Sequence, residues 1–107
     1  RGPVWFPINY LLIEALQKID YAYGSAFQIE CPTGSGNETD LWGVASELSR
    51  RLTDLFRRGP DGVRPCDRDH PERSLRETPY LHEYFHGDTG AGLGASHQTG
   101  WSALVAK

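Results

Sequence analysis

The sequence predicts an all-α chain, with two amphipathic helices and a third helical piece joined by long loops. Three observations support this. Apolar residues recur at helical spacing over two stretches, residues 8–23 and 40–57. Proline, glycine or a capping side chain bounds each stretch. A shorter stretch, residues 99–107, begins the same pattern.

In the first stretch Ile8, Leu11, Leu12, Ala15, Leu16 and Ile19 follow a 3.6-residue period, while Glu14, Gln17, Lys18 and Asp20 fall mostly off it. Pro7 suits a first turn, where its missing N–H costs nothing, and Gly24 suits a terminator. Residues 25–40 read as a loop, with a brief extended piece at 26–30 before Pro32, Gly34 and Gly36 break regular structure. In the second helix Leu41, Val44, Ala45, Leu48, Leu52, Leu55 and Phe56 fit the same template. Thr39 or Asp40 is its expected cap, and Gly59-Pro60 its stop. Residues 58–81 form a long polar loop rich in Pro and Arg. In the last piece Trp101, Leu104 and Val105 share one side.

At 107 residues the chain is long enough for one small domain. Only 38% of it is apolar, with 12 Gly and 7 Pro, so its own core is thin. It opens on Arg1-Gly2-Pro3 and contains no Met, which leads us to expect a portion of a longer chain, truncated at its N-terminus. The net charge is -3. Arg50-Arg51 and Arg57-Arg58 fall near the end of the second helix, where cations favour the negative pole of its dipole. No nucleic-acid partner is expected. No apolar run reaches the ~18 residues of a membrane span, so no membrane partner is expected either. Cys31 and Cys66 allow one disulfide at most and form no CxxC. Free thiols in a reducing, cytoplasmic setting are the expectation.

Chemistry concentrates at His82-Glu83-Tyr84-Phe85-His86, followed by a glycine-rich run from Gly87 to Gly94. Read as H-E-x-x-H, the pentapeptide is the zinc-hydrolase pattern, in which two His one helical turn apart hold the metal and the Glu activates water. Pro79 and Gly87 leave room for little more than one turn of helix. The extended pattern needs Gly and His at positions 89 and 92, which are Thr and Gly here, and Asp88 and His97 are the remaining donors. The zinc hydrolase therefore stands as an alternative, and neither metal nor cofactor is expected. Gly90-x-Gly92-x-Gly94 is not a nucleotide fingerprint and reads as a tight turn.

Aromatic and amide side chains surround the pentapeptide in sequence: Trp5, Phe6, Asn9 and Tyr10 before it, and His97, Gln98 and Trp101 after it. Aromatic faces pack on the C–H faces of sugars, while amides and imidazoles bond their hydroxyls. A carboxylate among them can serve glycoside hydrolysis. A non-catalytic carbohydrate-binding helical module would use the same set.

Arg1-Gly2-Pro3-Val4-Trp5 with Asn9-Tyr10, then Glu83-Tyr84 through Gly90, then Thr99-Gly100-Trp101-Ser102 resemble, in order, motifs of the family 63 glycoside hydrolases. Tyr84 directly follows the Glu, where many members carry Asn-Tyr. The resemblance implies that residues 1–107 are the C-terminal part of an (α/α)₆ barrel that hydrolyses α-glucosides or mannosides with inversion. It implies Glu83 as general base, with the general acid an Asp upstream of this chain. Expected substrate contacts are Arg1, Trp5, Asn9, His82, Tyr84, His97, Gln98 and Trp101. Expected partners are an oligosaccharide or small glycoside and the remainder of the parent barrel. His82 or His86 is expected to orient Glu83 or to meet a sugar hydroxyl.

Overall fold

A computed structural model describes residues 3–24, 26–96 and 102–106. The first helix, α1, runs Phe6–Tyr23 and so begins two residues earlier than its apolar period suggested. Trp5 precedes it in extended backbone, and Pro7 sits in the first turn. The Asn9 side chain donates to the Trp5 carbonyl at 2.7 Å, which ties the entry turn together. Gly24 ends the helix at φ 74°, and its N–H donates to the Asp20 carbonyl.

The second helix, α2, runs Leu41–Asp54. Of the two expected caps, Asp40 serves, its Oδ1 accepting from the Gly43 N–H at 2.8 Å. Beyond Asp54 the bonds from Leu55 to Leu52, Phe56 to Thr53 and Arg57 to Asp54 tighten to i→i+3, so the expected extension to residue 57 survives as a narrower turn.

The stretch expected to be a loop before α2 is instead a hairpin. Strands β1 (Gln28–Glu30) and β2 (Glu38–Asp40) pair antiparallel, Gln28 with Asp40 and Glu30 with Glu38. A second antiparallel pair, β3 (Tyr84–Phe85) and β4 (Gly92–Leu93), stands where the glycine run folds back on the pentapeptide. The described structure is therefore mainly helical but not all-α. Of the last helical piece the described residues are Ser102, in α-helix, and the short 3₁₀ turn Ala103–Ala106 that follows it.

The core joins chain segments distant in sequence. Phe6, Phe56 and Phe85 form an aromatic triad with ring centroids 5.5–5.8 Å apart, tilted to edge-on. Phe85 is fully buried, and Cys66, Leu52, Leu55, Leu104 and Val105 pack around it. Val4 and Phe85 exchange backbone bonds of 2.8 and 3.1 Å, so the segment before α1 pairs with β3. That pairing brings Trp5 beside Tyr84.

The two helices use their apolar faces differently. In α2 every expected stripe residue from Leu41 to Phe56 is buried or half-buried. In α1 the expected stripe is turned outward: Ile8 is 61% exposed and Leu11 63%, with Leu12, Ala15 and Ile19 exposed as well. Phe6, Tyr10 and Ile13 line the inner side instead, facing Leu52 and Leu104.

The polar stretch 58–81 is fastened by a buried network. Arg64 and Asp67 form an ion pair at 3.3 Å, 3% and 1% exposed. The Ser74 hydroxyl donates to Asp67 at 2.8 Å and accepts from the Arg64 N–H at 2.9 Å. The Arg64 guanidinium also donates to the carbonyls of Arg76 and Glu77, and Arg58 donates to those of Ser74 and Arg76.

Candidate active site

Glu83 lies at the bend that enters β3. The β3–β4 register pairs Tyr84 with Leu93 and Phe85 with Gly92, which would set Glu83 opposite Gly94. Instead the Glu83 N–H donates to the Ala95 carbonyl at 2.8 Å, so Gly94 is an extra residue on the opposing strand, at φ 69°. This is a β-bulge with glycine in the left-handed position, a device that re-aims the facing side chain. Its effect here is to bring the Ala95 N–H within 3.2 Å of Glu83 Oε2. A Cβ at position 94 would lie 2.6 Å from Glu83 Oε2 and 2.8 Å from the Tyr84 ring. Carboxylate and ring thus converge over a site only glycine fits. Glu83 is half-buried.

Tyr84 continues the surface to Trp5, their ring centroids 6.4 Å apart and the planes at 49°. Trp5 is 41% exposed. The two rings, with Pro3 and Leu93, form the apolar lining of an open depression of about 540 Å³ rimmed by His86 and Asp88. Across the turn at residues 86–90 lies a second cleft of about 360 Å³, bounded by Asn9, Leu48, Arg51 and Leu55. Of the expected residues, Trp5 and Tyr84 line the depression and Asn9 lines the second cleft, while Glu83 lines neither and meets Tyr84 over Gly94. Arg1, His97, Gln98 and Trp101 lie outside the described residues.

The two histidines have different roles from those the H-E-x-x-H pattern would give them. His82 is 6% exposed, its ring against Phe85 and stacked so closely over Gly92 that a Cβ there would meet it at 2.1 Å. The Ser102 hydroxyl donates to the His82 carbonyl and docks the 3₁₀ turn onto the pentapeptide. His82, expected to contact substrate, is therefore buried and lines neither hollow. His86 is exposed, and its Nδ1 accepts from the N–H groups of Asp88 at 3.1 Å and Thr89 at 3.2 Å, not from Glu83. Because residues 84–85 are strand, the two rings are not one helical turn apart as a zinc helix requires. Among the described residues no group of three His, Cys, Asp or Glu could hold a metal ion. No helix among them is long and apolar enough to cross a membrane.

Residue-by-residue reading missed two features. By pattern Asp88 is only a metal donor, yet it lines both hollows. Its place between Gly87 and the Thr89-Gly90 pair was the available signal, since such tight turns carry side chains outward. The Arg64–Asp67–Ser74 network left no periodic trace.

No family model matches the chain, and no solved structure does. An uncharacterized protein of Saccharomyces cerevisiae is 49% identical over 113 aligned residues, covering 100% of this chain and 10% of that protein. The mannosyl-oligosaccharide glucosidase of Saccharomyces cerevisiae is 29% identical over 105 residues, covering 98% of this chain and 10% of that enzyme. The chain spans about a tenth of the length of these curated relatives.

Proposed function

We propose that this chain is the part of a glycoside hydrolase that supplies the general base, Glu83. The observation that carries the reading is the Glu83 carboxylate, bonded by the Ala95 N–H and meeting over Gly94 the Tyr84 ring, which is itself 6.4 Å from the Trp5 ring. An aromatic surface of this kind suits the C–H face of a pyranose, and the carboxylate beside it suits proton abstraction from water. The similarity to a mannosyl-oligosaccharide glucosidase, over 98% of this chain and 10% of that enzyme, supports glycosidic bonds as the target.

In this reading Glu83 Oε2 is steadied by the backbone, and the carboxylate takes a proton from a water on the face of the sugar opposite the leaving group. The hydroxide attacks the anomeric carbon with inversion. A general acid elsewhere in the longer protein protonates the departing oxygen, about 6.5–9.5 Å from the base so that one water fits between. The outward apolar face of α1 supports the larger body this requires. A helix apolar on most of its circumference belongs inside a bigger structure, here the remainder of a helical barrel.

The test is Glu83→Gln in a protein of the relatives' length that carries this chain. We expect kcat on an α-linked gluco-oligosaccharide to fall about 10²–10⁴-fold with KM within threefold, because the amide keeps its shape and loses its basicity. A kcat within twofold of the parent would remove Glu83 from the role of base.

A further inference from the structure

We propose that Asp88 is a specificity-determining residue that binds sugar hydroxyls, and that His86 is the positioning residue that aims it. This rests on the reading that the Trp5–Tyr84 face binds sugar. It adds a second carboxylate with a different task from that of Glu83.

His86 Nδ1 accepts from both the Asp88 and Thr89 N–H groups. To accept twice there the ring carries its hydrogen on Nε2. The His86 carbonyl accepts from the Gly90 N–H at 2.9 Å, the Thr89 hydroxyl accepts from the Ala91 N–H at 3.3 Å, and Arg68 donates to the Thr89 carbonyl at 3.3 Å. The backbone that carries Asp88 is therefore fixed by its own side chains, although the turn is exposed. A turn held this way presents its carboxylate without ordering it anew for each ligand, which lowers the entropic cost of binding.

Asp88 lines the roughly 540 Å³ depression together with Trp5 and Tyr84. Aromatic rings and a two-oxygen acceptor lining one hollow match a pyranose, which offers a C–H face and a rim of neighbouring hydroxyl donors. A carboxylate acceptor discriminates by hydroxyl stereochemistry, because an epimer points its hydroxyl donor elsewhere. Asp88 also borders the cleft with Asn9 and Arg51, so the same turn separates two hollows. The ligand class is a neutral hexopyranose unit of an α-linked oligosaccharide.

The experiment compares Asp88→Ala, Asp88→Asn, His86→Asn and His86→Gln in the protein of the relatives' length. KM and kcat are measured on an α-linked gluco-oligosaccharide, and binding of the same oligosaccharide separately by saturation-transfer NMR. Asn places an oxygen where Nδ1 sits and can still accept from the turn, whereas Gln places its polar atoms near Nε2 and cannot. We expect Asp88→Ala to raise KM and the dissociation constant about tenfold or more, with kcat within twofold, since a hydrogen bond to a charged group is lost. Asp88→Asn should change the preference between epimeric sugars, even if the alanine variant misfolds. His86→Asn should stay within threefold of the parent, while His86→Gln follows Asp88→Ala. Unchanged KM and binding in both Asp88 variants would overturn the proposal, and so would equal behaviour of the two His86 variants. Because binding is read apart from turnover, Glu83 can fail as base while Asp88 stands, and the reverse.

Discussion

α2 turns Leu41, Ala45, Leu48 and Leu52 toward the core and Glu47, Arg50, Arg51 and Asp54 toward water, whereas α1 turns Ile8, Leu11, Leu12 and Ile19 outward. The polar face of α2 is organised. Glu47 accepts from Arg50 and Arg51 at 2.8–2.9 Å, and these bonds, Arg50 first, pull its carboxyl down to about 2. The loop after α2 then closes over the core through Arg64, Asp67 and Ser74. This half of the molecule satisfies its own polar and apolar groups. The α1 half keeps one side of its helix uncovered. We conclude that self-sufficiency here comes from buried polar pairing as much as from apolar pattern, and that α1 is shaped for a neighbour.

The largest expected effect lies in the self-contained half. Asp67→Ala leaves the Arg64 guanidinium, 3% exposed, without its counter-charge in a site closed to water. Breaking a buried pair from one side typically costs about 3–5 kcal/mol, far more than the pair's net worth, because the remaining charge stays desolvated. Denaturant unfolding should show that loss, with Asp67→Asn intermediate because it retains an acceptor for the Ser74 hydroxyl. A loss under 1 kcal/mol for the alanine variant would mean that the 58–81 loop is not what completes this half.

That loop also marks where sequence reading ran out. α2 was legible in position and in face because four charged residues mark its outer side. α1 was legible in position only. Ile8, Tyr10, Leu11, Leu12, Ile13, Leu16 and Ile19 cover most of its circumference, so periodicity identifies a helix without choosing its buried side. The β1–β2 hairpin gave no alternation because β1 is exposed on both faces and β2 is at most half-buried. Arg64, Asp67 and Ser74 read as solvated loop residues, since nothing local says that partners 7 and 10 residues apart will meet inside. Glu83 stood out by residue type, but its setting depends on the bulge at Gly94, a property of pairing register that one strand's sequence does not carry.

The two cysteines, both free thiols, differ in burial. Cys66 is buried in the core, and that burial, followed by the neighbouring Asp67 charge, pushes its thiol up to about 12. At pH 8 that leaves about one thiolate in 10⁴, and the thiolate is the nucleophile. Cys31 is only half-buried, at the end of strand β1, and so within reach of a reagent in solution. Iodoacetamide at pH 8 should therefore add one label to the folded chain, on Cys31, and two after guanidinium unfolding, as read by intact mass. Equal labelling of both thiols in the folded chain would show that the α2 half opens as readily as the hairpin.

The smallest effect on this chain by itself belongs to the outward stripe of α1, and there its smallness is the point. Leu11 is 63% exposed, so Leu11→Gln removes little buried apolar area and should change stability by no more than about 0.5 kcal/mol, the usual range for surface positions. If a neighbouring helix covers that face in a protein of the relatives' length, the same substitution there buries an amide against apolar side chains. The cost then rises to about 1–3 kcal/mol. Chemical denaturation of both proteins measures the difference directly. A neutral result in the short chain with a clear loss in the long one would mark Leu11 as an internal contact of the larger body. Neutral results in both would leave α1 facing water, and would remove the outward stripe from the grounds for reading this chain as part of a barrel.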